Sequence, residues 1–303
     1  MNRLFLIIML LGSMGLLTSC EDVIHLSTET GPTRLVVDGW ITNEATRQSI
    51  RLTLSQNYFD NTQAIAVLGA TVTVTDETAK VFEFIDTDQS GNYVWTPAGT
   101  ETLGKIGGSY TLKVTYDSET YEATTQLKRI PTIDSLTYFY EKPTIAPSKG
   151  PSEGYTADFY ARDFVGVGDC YWIRTYLNGV RYDKDATDLS PSYDGSFSAG
   201  SSTDGQIFIL PVRRCINMNQ YFSENDTITV ELYSITQPGF YFLQAIQKEA
   251  SNQGLFATAP ANIPTNITNT RSDGPTALGW FGAAAISRFT TVVKKENASP
   301  KPD

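Results

Sequence analysis

Six residues in one polar stretch have side chains that could do chemistry: Tyr182, Asp183, Asp185, Asp188, Tyr193 and Asp194. Clustered carboxylates can bind calcium through oxygen, and two of them at the right separation can serve as the acid and base of a glycosidase. The tyrosines can stack on a sugar or fill a partner's pocket. Asp183–Gly205, which Tyr182 directly precedes, is rich in Asp, Ser and Gly and reads as a long ligand-binding loop. A solvated acidic loop has the same composition, and sequence sets no carboxyl–carboxyl distance. Asp86-Thr87-Asp88-Gln89-Ser90-Gly91 has the outline of a calcium loop, but Pro97 stands where the bidentate acid is required. A turn with Gly91 at the special backbone angle is expected instead.

Other chemistries are poorly supplied. The single histidine, His25, lies near the N-terminus, so a serine nucleophile elsewhere has no imidazole base. Gly104-Lys105-Ile106-Gly107-Gly108 lacks phosphate-loop spacing. The chain carries 23 Lys and Arg against 33 Asp and Glu, a net charge of −10, which disfavours a duplex nucleic-acid partner. The expectation is a non-enzymatic binding protein with no catalytic residue, metal or cofactor.

Three cysteines have separate readings. Leu17-Thr18-Ser19-Cys20 looks like a bacterial lipobox. It follows a basic start at Arg3 and a mostly apolar run over Leu4–Leu17 that is too short to span a bilayer. That likeness implies cleavage before Cys20 and its acylation by diacylglycerol and a fatty acid such as palmitate, enough chains for stable anchoring. Glu21 and Asp22 resemble the export signal of surface lipoproteins, implying an outer-membrane, cell-surface location. Cys170 and Cys215 then remain, either as a disulfide or as two separate buried thiols. Asp134-Ser135-Leu136 and Asp226-Thr227-Ile228 resemble a bacterial O-glycosylation acceptor, with Ser135 and Thr227 as the candidate hydroxyls.

The elements that must position these residues are mostly strands. Hydrophobic residues make up 41% of 303 residues, enough for real cores. Alternation and β-branched runs predict about seven strands between Arg34 and Thr125, a sandwich of immunoglobulin type. Further strands are expected at Ile133–Glu141, Tyr155–Asp163, Cys170–Asn178, Gln206–Val212 and Thr227–Ile235. One short helix should begin at Pro238 and end at Gly254. The chain therefore divides into a leader (1–19), a lipidated tether (20–33), an immunoglobulin-like sandwich (34–130), a second β-rich, sandwich-like domain (131–295) and a polar tail (296–303). The fold class is all-β.

Leu35-Val36-Val37-Asp38-Gly39-Trp40-Ile41, Gly69–Val74 and Ser90-Gly91-Asn92-Tyr93 are similar to the carboxypeptidase-regulatory-like sandwich, a structural module without peptidase chemistry. With Gly168–Trp172, Pro264-Thr265-Asn266-Ile267 and Leu278-Gly279-Trp280-Phe281-Gly282, the chain resembles a Bacteroidota family of outer-membrane lipoproteins of unknown function. Its members are often encoded beside TonB-dependent receptors. The resemblance implies an accessory subunit of an uptake complex, with the receptor as partner and a glycan or peptide as cargo. A free-standing glycan- or protein-binding adhesin is the alternative, and a calcium-dependent hydrolase built on Asp183–Asp194 the more remote one.

Overall fold

The computed structural model describes residues 31–57, 60, 62–145, 150–196, 203–218, 220–252, 258–259 and 261–301. The leader, Cys20 and the tether up to residue 30 lie outside them. The chain divides into residues 1–32 with 57–61, and residues 33–56 with 62–303. The second unit carries every element below.

Its strands are β1 (Leu35–Thr42), β2 (Gln48–Leu54), β3 (Thr71–Asp76), β4 (Val81–Phe84), β5 (Asn92–Trp95), β6 (Ser109–Tyr116), β7 (Glu119–Gln126), β8 (Ile133–Glu141), β9 (Gly154–Ala161), β10 (Cys170–Leu177), β11 (Val180–Arg181), β12 (Ser190–Tyr193), β13 (Thr227–Ile235), β14 (Thr268–Asn269) and β15 (Leu278–Val292). Two α-helices are described, α1 (Leu210–Arg214) and α2 (Gln237–Ala250). The protein is an all-β, sandwich-like fold. Among the described residues no helix is long and apolar enough to cross a membrane.

The largest sheet runs β11-β10-β13-β15-β1-β2-β5, with β12 also on β10. A second runs β14-β7-β6-β3-β4, and β8 pairs with β9. Strand alternation sends Val37, Ile41, Ile50 and Leu52 from the large sheet, and Val72, Val74, Leu112 and Val114 from the second, into one shared core. Phe281, Ala283 and Ala285 of β15 enter that same core from the far end of the sequence. A second core lies between the large sheet and β8–β9, around Phe159, Tyr171, Ile173 and Leu232. A third lies under α2 and holds Trp172, Tyr233, Phe242 and Trp280.

β15 ties these cores together. Its first half pairs in parallel with β1, from Val36↔Leu278 to Thr42↔Ala284. Its second half pairs antiparallel with β13, from Ser234↔Ala285 to Thr227↔Val292. The sheet therefore runs unbroken across residues 130 and 131, where the sequence places a junction. Small residues make this strand possible. The Trp40 indole lies where a Cβ on Gly282 would be, so only glycine fits beneath that ring.

Most expected strands are present within a residue or two, and α2 begins at Gln237, one residue before Pro238, but ends at Ala250; Gly254, expected to end it, lies outside the described residues. The Thr236 hydroxyl accepts from the Gly239 N–H at 3.3 Å, and Pro238 sits in the first turn. Two expectations change. Gln206–Val212 is not a strand: Ile207 makes one isolated bridge to Arg162, and α1 then starts with Pro211 in its first turn, where the missing N–H needs no partner. The stretch read as a long loop contains a 3-10 turn at Ala186–Asp188 and strand β12. The Asp86–Gly91 segment is a turn, in which the Asp86 carboxylate accepts from the N–H groups of Ser90 and Gly91.

Candidate functional site

The residues expected to form a binding loop are dispersed. Asp183 is fully buried and pairs with Arg181 at 3.2 Å. The Tyr182 ring lies 6.5 Å from that of Phe222, with its hydroxyl buried and unpartnered. Asp185 and Asp188 close the 3-10 turn on each other. Tyr193 is exposed and set edge-on to Phe240 at 5.7 Å. Asp194 is buried beside Asp163, whose carboxylate also takes the Tyr171 hydroxyl at 2.5 Å and the N–H groups of Gly195 and Ser196. Burial, and then the hydrogen bond it shares with Asp163, raises the Asp194 pKa to about 6. Among the described residues no three His, Cys, Asp or Glu side chains are grouped to hold a metal ion.

Cys170 and Cys215 are free thiols. The physical reason lies in the sheet. Cys170 shares the α2-facing side of β10 with Trp172, whereas Cys215 packs with Tyr171 and Ile173 in the core on the opposite side. Neighbouring residues of a strand face opposite ways, so the sheet itself separates the two sulfurs. Ser135 is half-buried at the bulge of β8. Thr227 is the half-buried first residue of β13, and its N–H is held by Asn178 Oδ1 at 2.8 Å.

A different set of residues converges. A cleft of about 840 Å³ lies between the large sheet, α2 and residues 261–265. Alternation along β1 aims Arg34, Val36, Asp38 and Trp40 into it, while Leu35, Val37 and Ile41 face the sandwich core. β10 supplies Trp172, β15 supplies Trp280, and α2 supplies Phe242, Leu243 and Ile246 at helical spacing. Three of the four tryptophans of the chain thus line one cavity. They are mutually packed: Trp40 and Trp172 lie 5.5 Å apart, and Trp280 stacks on Phe242 at 4.9 Å and 20°. The indole N–H groups of Trp172 and Trp280 are buried without partners.

Asp38 is the one carboxylate among the described lining residues. It is open to the cleft yet ringed by protein, and it accepts no hydrogen bond from any described residue. That burial raises its pKa, although the guanidinium groups of Arg51, Arg181 and Arg174 pull the other way. Arg174 is held by aromatic faces rather than by a carboxylate, 4.8 Å from the Trp172 ring and 5.2 Å from that of Tyr233. A cavity of this size with apolar walls and few polar groups is the usual form of a small-molecule site.

Two other hollows differ in chemistry. One of about 570 Å³ is lined by Glu141, Arg214 and Gln247 among others. Two of its charged residues are already paired, Glu141 with Lys301 and Arg214 with Asp158. Another, of about 770 Å³, is walled mainly by Ser, Thr, Gln and Gly and carries Lys128 as its one charge.

Sequence reading missed the cleft as a site, although its parts were in view. Of the six segments that carry the family resemblance, 35–41, 168–172, 264–267 and 278–282 contribute lining residues, whereas 69–74 and 90–93 do not. The signal available was the recurrence of tryptophan in Gly39-Trp40, Tyr171-Trp172 and Gly279-Trp280. No curated protein matches the chain. A family model described as a domain of unknown function, DUF4249, matches residues 21–290, from the tether through nearly all of β15, and the chain belongs to that family.

Proposed function

We propose that this protein is a non-enzymatic, lipid-anchored outer-membrane protein, exposed at the cell surface, that serves as the binding subunit of a TonB-dependent nutrient-uptake system. Its ligand site is the tryptophan-lined cleft. One observation carries the binding part of this reading: Asp38 stands unpartnered in a cavity of about 840 Å³ whose other walls are largely apolar. A carboxylate without a protein partner on the wall of a largely apolar cavity is free to receive a guest's donor, and a guest that covers the apolar wall removes that surface from water. The anchoring part rests on Leu17–Cys20, and the surface location on Glu21 and Asp22. The receptor is supported by the resemblance described above.

The test is affinity capture of the C-terminally tagged native protein from mildly solubilised outer membranes, followed by mass spectrometry. A TonB-dependent receptor at stoichiometric yield is the expected result. Its absence, together with unchanged growth of a deletion strain on the nutrients of neighbouring receptors, overturns the uptake role. A free-standing adhesin is the second reading. It is favoured by the exposed rings of Tyr193 and Tyr241, which both lie against Phe240. It predicts glycan or protein binding by the purified chain without a receptor.

A further inference from the structure

The cleft carries side chains of opposite sign on the same wall as apolar ones. Arg34 immediately precedes β1, and Arg34, Val36 and Asp38 follow at two-residue spacing, so Arg34 and Asp38 are about 13 Å apart along the chain at roughly 3.3 Å per extended residue. The Asp38 carboxylate accepts no hydrogen bond from a described residue. The Arg34 guanidinium forms no ion pair with a described carboxylate, while its backbone N–H is tied to Ser55 Oγ at 2.9 Å. Arg181, the remaining charged lining residue, is already held by the buried Asp183. Among the charged lining residues Arg34 and Asp38 are thus the two without an ion pair to a described residue; Arg51, Arg174 and Arg181 act on Asp38 only from beyond ion-pair distance. Val36 lies between Arg34 and Asp38 along the chain, and Trp172, Phe242, Leu243 and Ile246 line the same cleft.

Resting on the reading of this cleft as the ligand site, we propose that its ligand class is a short apolar peptide with free termini. The peptide's ammonium group pairs with Asp38, its carboxylate with Arg34, and its side chains lie against the indole and aliphatic walls. An extended tripeptide spans about 10–11 Å, which matches the separation of the two residues once their side chains lean toward the ligand. A fatty-acid-like anion would satisfy Arg34 and leave Asp38 facing apolar matter. A neutral oligosaccharide would set many hydroxyls against walls that offer few partners. A free-ended apolar peptide meets both charges and both walls.

The experiment is isothermal titration of the full chain in mild detergent with the tripeptide Leu-Phe-Leu. Its N-acetylated, C-amidated and doubly blocked forms, and maltotriose, are run alongside. Binding of the free peptide is expected, with each blocked terminus weakening it tenfold or more, the scale of a lost charge-assisted hydrogen bond. In Asp38→Asn the penalty for N-acetylation should vanish while that for amidation stays, and in Arg34→Gln the reverse should hold. Ile263→Trp, which fills the cleft from the 261–265 segment, should abolish binding. Equal binding of all four peptide forms, sensitive to Ile263→Trp, overturns the zwitterion proposal and leaves the cleft as a site. Maltotriose binding without peptide binding overturns the peptide class. Peptide binding unaffected by Ile263→Trp overturns the cleft itself, and no binding of any peptide form overturns the proposal outright.

Discussion

Gly279 lies with its α-carbon so close to the Val37 carbonyl that a Cβ there would collide with the carbonyl oxygen, and its φ is +90°. This contact joins the second residue of β15 to the strand that carries Asp38 and Trp40. Gly279→Ala should therefore separate β1 from β15 at the mouth of the cleft. A loss of about 2–4 kcal/mol is expected, because a strained backbone angle and a steric clash combine. Urea unfolding of the two proteins measures it, and a change below about 0.5 kcal/mol would show that the strands part easily.

The buried Glu231 stands between Arg288 and Arg174 on neighbouring strands. Arg288 donates from Nε to Glu231 Oε1 at 2.7 Å and also reaches Glu44, while the Tyr233 hydroxyl donates to Glu231 Oε2 at 2.9 Å. Arg288→Ala leaves a buried carboxylate short of its main partner. The loss should be about 2–3 kcal/mol, below the full figure for a buried pair because Arg288 is itself nearly half exposed. Glu231→Gln in the same background should recover part of it, which thermal unfolding of the single and double variants would reveal.

Asp194 gives stability a pH dependence of unusual sign for a carboxylate. Its folded-state pKa of about 6 lies above the ordinary value of 3.8. The folded state therefore holds a proton that the unfolded chain releases earlier. The stabilising contribution is complete below about pH 4 and is lost as pH rises through about 6, with a slope of at most about 1.4 kcal/mol per pH unit. Asp194→Asn should remove this component between pH 4 and 6. Unfolding midpoints across that window test it, and identical slopes in the two proteins would refute it.

Cys170 and Cys215 should behave as two inert thiols. Burial raises each to about 12, so little thiolate exists near neutral pH. Iodoacetamide at pH 8 should label neither in the folded protein and both in denaturant without reductant, as peptide mapping would show. A 170–215 cross-linked peptide would contradict their placement on opposite faces of the sheet.

Cys20→Ser should abolish incorporation of labelled palmitate and release the protein from the membrane fraction. Continued labelling would mean that another residue carries the lipid.

Much of the fold was legible from residues alone. The alternation in Ser49–Leu54 and Thr71–Val74 marks strands with one face inward, the run Thr227–Ile235 marks a strand that is buried on both faces over its second half, and Pro238 marks the start of α2. These signals are local: they follow from the two-residue period of a strand and from the unpaired N–H groups of a helix start. β15 escaped because Gly279, Gly282 and Ala283-Ala284-Ala285 have weak strand preference. Their reason for being there is the Trp40 ring and the β1 backbone, supplied by residues some 240 positions away.

The site divides in the same way. Composition and motif set out an acidic all-β chain with a lipobox-like start and one histidine. Read from that list, the loop acids and tyrosines looked like the working residues, because exposure was inferred from polar neighbours. Tertiary structure instead buried Asp183 against Arg181 and Asp194 against Asp163. It also gathered Asp38, Trp40, Trp172 and Trp280 from three separate strands around one cleft. Which strand lies beside which is decided by long-range burial of apolar faces. A parallel pairing of β1 with β15 leaves no mark in the local sequence of either.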